Sequence, residues 1–113
     1  MRDTLFLLKP DFQAGGDQRY YCPHCAQREG VLAFYPRLRK EINVEYVDFP
    51  RPRLPIVELL GQDNQDAPVL VMGNSFPLSP HIEHTSANGH VFISGEENIG
   101  RYLAERYGIG LAH

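Results

Sequence analysis

Thr4-Leu5-Phe6-Leu7-Leu8 is an unbroken apolar run, too short for a helix and closed by Lys9-Pro10, which predicts a strand buried on both faces. Asp11 to Tyr21 carries no periodicity and contains Gly15-Gly16, so it reads as a loop. From Pro23 to Tyr35 the apolar residues Val31, Leu32 and Tyr35 predict a helix, and Pro36 ends it or kinks it into one further turn at Leu38. Ile42 to Phe49 predicts a partly covered strand, with Ile42, Val44 and Tyr46 alternating with Asn43, Glu45 and Val47. Pro50-Arg51-Pro52-Arg53 cannot lie inside a strand. It predicts a rigid connection into a short helix, Pro55 to Leu60, which Gly61 terminates.

The second half adds two strands and a closing helix. Ala67 to Met72 predicts a buried strand entered through Pro68, and Val91-Phe92-Ile93 predicts an antiparallel partner that follows a turn at Asn88-Gly89. Ser94 with Glu97 has the spacing of a capping box, and Ile99, Leu103 and Tyr107 recur at i, i+4 and i+8 until Gly108. The order is β-α-β-α-β-β-α, an α/β chain. Its 113 residues, 42% hydrophobic, suit one domain that needs no disulfide staples. A net charge of -3 and the lack of a long basic run argue against a nucleic-acid partner. No stretch approaches the ~20 apolar residues of a membrane span, and the start of the chain lacks a signal-peptide pattern, so a soluble, cytoplasmic protein is expected. No nucleotide-binding glycine motif is present, and the tyrosines are spread over different elements instead of forming a platform for bases.

The chemistry concentrates in Cys22-Pro23-His24-Cys25, which holds the only two cysteines, at the start of the first predicted helix. A helix N-terminus offers free N–H groups and the positive end of the macrodipole, which together stabilise a thiolate. Cys22 is then the expected nucleophile and Cys25, one turn further in, the buried resolving thiol. Pro23 pre-sets a helical φ, and His24 adds a donor or a positive charge near the thiolate, favouring the reduced form.

These features resemble the thioredoxin-like superfamily over nearly the whole chain, with a layout similar to glutaredoxins and the N-terminal domains of glutathione transferases. The match rests on Tyr21-Cys22-Pro23-His24-Cys25, on Ala67-Pro68-Val69-Leu70, on the hairpin that follows and on Ile99 to Ala104 in the last helix. The resemblance implies a three-layer sandwich around a mixed four-stranded sheet and a cis-proline at Pro68 lying against the Cys pair. The backbone of Ala67 would there receive an extended substrate, and Pro68 would keep stray metals away. Pro23-His24 is also similar to the dipeptide of oxidising disulfide oxidases of bacterial envelopes, which carry a helical insertion and an export signal that this sequence lacks. The pattern further resembles a small, uncharacterised bacterial thioredoxin-like family. The implied activity is thiol–disulfide exchange with a protein or a low-molecular-weight thiol or disulfide, with no metal or organic cofactor.

Other readings remain open at this level. Where glutathione transferases place a Glu-Ser or Gln-Ser pair, this chain has Gly95-Glu96. Glutathione could still place its amino group on Glu96 or Glu97 and a carboxylate on Arg51 or Arg53, and those two arginines could equally be solvated spacers between prolines. Tyr20 and Tyr21 could form an aromatic rim for a substrate or simply pack. Cys22 and Cys25 could join two of His24, His81, His84 and His90 in a Cys2His2 zinc site. A binding module for a peptide or metabolite, acting through the long segments Lys9 to Tyr21 and Gly73 to His90 without catalysis, is the other alternative.

Overall fold

The computed structural model describes residues 1–113. A five-stranded mixed sheet has the order β4-β1-β5-β7-β6, formed by β1 (Thr4–Leu8), β4 (Asn43–Val47), β5 (Val69–Val71), β6 (Thr85–Ala87) and β7 (His90–Ser94). Strands β1 and β4 run parallel, with the crossover made by α1 (Pro23–Phe34) and α2 (Leu38–Glu41). The remaining neighbours pair antiparallel. Two further helices, α3 (Leu54–Leu60) and α4 (Glu96–Tyr107), complete the chain.

Side-chain alternation across the sheet sorts the core into two layers. Leu5, Leu7, Leu70 and Ile93 pack with Leu32 of α1 and Ile99 and Leu103 of α4. Phe6, Val69, Val71 and Phe92 point the other way and pack with Ile56 and Leu60 of α3. Strand β1 is therefore covered on both faces, which is why it reads as an apolar run and not as an alternation. Strand β4 lies at the sheet edge, and Asn43, Glu45 and Tyr46 are exposed.

Three expectations need correction. The sheet has five strands, not four, because Thr85–Ala87 pairs with β7 through a tight turn at Asn88 (φ 51°) and Gly89 (φ 77°). Asn-Gly suits the left-handed backbone of such a turn, but the added strand is short and mostly exposed, so no apolar alternation marks it. The segment after Lys9 is not pure loop either: β2 (Phe12–Gln13) and β3 (Arg19–Tyr20) form a small antiparallel ladder. Nor does the Ser94–Glu97 capping box form. Ser94 stays in the sheet opposite Val69, Gly95 caps α4 without a side-chain bond, and Asn98 donates back to the Ser94 carbonyl at 3.3 Å.

A buried carboxylate ties the chain's start to its end. Asp3 is 2% exposed and accepts hydrogen bonds from the hydroxyls of Tyr102 (2.6 Å) and Tyr107 (2.7 Å) and from the Gly73 N–H (2.8 Å). Arg106 pairs with it at 3.2 Å and lies over the Phe76 ring, 5.2 Å from its centroid. Gly73 has no alternative here, since a Cβ on it would sit 2.1 Å from the Met1 carbonyl oxygen. Burial first, then the bond to Asp3, pushes both tyrosine hydroxyls well above the usual phenol range.

Asp3→Asn should lower stability to urea by about 3 kcal/mol, because it leaves Arg106 and two hydroxyls without their charged acceptor. The raised tyrosines make the folded state hold protons that the unfolded chain releases. Their stabilisation should be complete below about pH 10, the ordinary phenol value, and should fade as pH rises beyond it. Absorbance titration of tyrosinate checks this: Tyr102 and Tyr107 should ionise only together with unfolding.

Candidate redox site at the start of the first helix

Cys22 occupies the N-cap of α1 with extended backbone (φ -78°, ψ 117°), and its Sγ accepts the Cys25 N–H at 3.2 Å. The thiol thus fills the acceptor role of a capping serine. Pro23 follows at the first helical position, where a missing N–H costs nothing. One turn in, Cys25 is 4% exposed and its Sγ accepts the N–H of Leu8, the last residue of β1, at 3.3 Å. Both cysteines are free thiols, Cys22 partly exposed and Cys25 buried. Burial, followed by the hydrogen bond to Cys22, pushes the Cys25 thiol up to about 12. The Leu8 N–H and the positive charge of Arg53 act in the opposite direction.

His24 points across to α4. Its Nδ1 lies 2.6 Å from Glu96 Oε2, so the pair links the first turns of α1 and α4. The Gln27 side-chain amide faces the same carboxylate, to which it donates once its nitrogen is oriented towards Glu96. Glu96 is thus engaged within the chain, while Glu97 is exposed and pairs with Arg101 at 3.5 Å. Below them Arg28 is buried with its Nε unpartnered, and its guanidinium lies 3.2 Å from where a Cβ on Gly100 would stand. Gly100 is what lets the two helices close over that arginine.

A cavity of about 390 Å³ opens beside both thiols, bounded by the end of β1, by α1 and by Tyr46 of β4. Pro10, Asp11 and Tyr21 from the long first segment complete its wall, so that segment flanks the cysteines. Tyr20 and Tyr21 are both exposed, and the Tyr20 ring lies 6.3 Å from that of Phe12. At one side Glu29 accepts from the Tyr46 hydroxyl at 2.6 Å and is ion-paired with Arg39. A larger depression of about 790 Å³ between α1 and α4 contains neither cysteine. The segment Gly73 to His90 does not line this cavity; its Phe76 is edge-on to Tyr102, and its Ser79 donates to Glu105 at 2.8 Å on α4.

The remaining candidate residues sit on the connection around α3. Arg53 is buried, and its guanidinium donates to the carbonyls of Phe49 (2.8 and 3.0 Å) and Gln65 (2.9 Å). Phe49 stacks on Phe12 at 4.2 Å and lies under the Arg53 charge, which fastens the β2–β3 ladder to this connection. Arg51 is exposed and pairs with Asp66 at 3.0 Å. Pro68 is buried, Ala67 packs against the α3 layer, and both the Ala67–Pro68 and Arg51–Pro52 peptides are cis. No three His, Cys, Asp or Glu side chains are grouped closely enough to hold a metal ion.

Sequence reasoning missed Arg28, Glu29 and Tyr46. A signal existed for Glu29, which follows Cys25 by four residues and so shares its helix face. None existed for Tyr46, whose neighbour Leu7 is set by sheet register.

The contrast between the thiols should appear in their alkylation. Iodoacetamide at neutral pH should label Cys22 and spare Cys25 until the protein unfolds, as read by mass and peptide mapping. Equal labelling of both in the folded protein would contradict the geometry. The raised Cys25 thiol also makes the reduced protein lose stability as pH climbs from about 9, the ordinary thiol value, towards about 12.

No curated protein and no solved structure matches the chain. A family described as "Protein of unknown function (DUF3088)" matches it over residues 2–111. That span covers every element described above, and the chain belongs to this family.

Proposed function

We propose that this protein is a thiol–disulfide oxidoreductase of thioredoxin-like architecture, working through Cys22 and Cys25. The observation that carries the reading is the unequal pair at the helix start: an accessible Cys22 Sγ receiving a helix N–H, above a buried Cys25. The parallel β1–α1–β4 unit, the antiparallel β5–β7 pair and the division of helices between the two sheet faces support the architecture.

The chemistry follows from the two environments. The Cys22 thiolate attacks one sulfur of a substrate disulfide, and the substrate S–S bond breaks. A mixed disulfide forms on Cys22, and the other half leaves as a thiolate that takes up a proton. Conversion of Cys22 to a neutral disulfide removes its charge and its hydrogen bond, two of the influences that hold Cys25 protonated. The Leu8 N–H and the Arg53 charge then favour the Cys25 thiolate. Cys25 gives its proton to water, attacks the Cys22 sulfur and expels the second half of the substrate. The protein is oxidised by two electrons, the substrate is reduced by two, and an external thiol restores the dithiol.

Cys22→Ser should keep the fold, because serine is a preferred N-cap, and should abolish disulfide reduction. Cys25→Ser should accumulate mixed disulfides on Cys22, read by mass after acid quench. A Cys25→Ser protein that traps nothing, beside a wild type that reduces nothing, would sink the proposal. Full biological activity in the double serine variant would instead favour a binding module.

A further inference from the structure

The cavity beside the two sulfurs has an uneven wall. Leu7, Leu8, Pro10, Ala26 and the Tyr21 ring present apolar surface, and its charged side chains, Asp11 and Glu29, are both acidic. No Lys, Arg or His lines it. Glu29 is already compensated by Arg39 and by the Tyr46 hydroxyl. Asp11 is exposed at the lip with φ 64°, and none of the chain's ion pairs includes it. A carboxylate-rich thiol such as glutathione would bring anionic ends to an acidic rim. A ring-sized apolar group fits both the lining and the volume of about 390 Å³.

We infer that this cavity is a subsite for low-molecular-weight disulfides whose carried half is apolar and either neutral or cationic. The inference rests on the redox reading of the Cys pair and adds the substrate class. The Cys22 thiolate bonds to the sulfur bearing the apolar group, the substrate S–S bond breaks, and the other half departs as a thiolate and is protonated. The apolar half, held in the cavity, is then positioned for Cys25 to attack Cys22 and release it as a thiol. A dithiol such as dithiothreitol returns the two electrons to the protein.

The test uses the full-length Cys25→Ser protein, in which the adduct on Cys22 persists. Adduct formation is followed by mass with three symmetric disulfides: hydroxyethyl disulfide, a dibenzyl disulfide bearing aminomethyl groups, and the same scaffold bearing carboxylates. Each rate is divided by that of a short unstructured cysteine peptide. The aminomethyl compound should exceed hydroxyethyl disulfide by roughly tenfold or more, as expected for an apolar pocket. It should exceed the carboxylate compound by a margin that Asp11→Asn reduces about two- to fivefold at low salt and that high salt removes. Ala26→Leu, which projects into the cavity, should shrink the advantage over hydroxyethyl disulfide. If that variant fails to fold, the exposed Asp11→Asn alone reads the charge preference. Equal normalised rates for all three disulfides would overturn the subsite and leave the redox reading standing. No adduct with any of them would overturn both.

Discussion

Strand β1 is the constraint on which the site depends. Both of its faces are buried and both of its edges are paired, so its position is set by the whole core. Asp3, just before it, gathers two tyrosines, an arginine and a backbone N–H from α4 and the segment after β5. Leu8, at its other end, hands an N–H to the Cys25 sulfur. One strand therefore registers α4 at one end and the thiol pair at the other.

The asymmetry between the sulfurs follows from this placement. Cys22 caps a helix at the surface and Cys25 lies against the end of β1, so two thiols three residues apart meet different solvents. His24 serves α1–α4 packing through Glu96, and Arg53 serves the connection around α3 through backbone carbonyls. The influence of Arg53 on Cys25 is electrostatic and acts through the interior.

Much of this was legible in the sequence because the strongest patterns coincide with the deepest burial. The apolar runs at Thr4–Leu8 and Val69–Val71 became central strands, and Ile99 and Leu103 became the buried face of α4. The Cys spacing placed both thiols on the first turn of α1. What escaped notice depends on register and on polar contacts distant in sequence. The exposed strand Thr85–Ala87 carries no apolar alternation, and Ser94 was kept from its capping role by its place opposite Val69. The Asp3 network joins residues about a hundred positions apart, and Tyr46 reaches the cavity only because β4 pairs in parallel with β1.

The most direct test of the central claim is equilibration of the purified, metal-free protein in defined glutathione redox buffers, with the Cys22–Cys25 disulfide quantified by mass after acid quench and alkylation. The redox reading predicts one clean two-electron transition, near the poise of the glutathione couple or more oxidising than it. Thiols that stay reduced across the whole range would contradict it and leave the cysteines as a helix cap and a core residue.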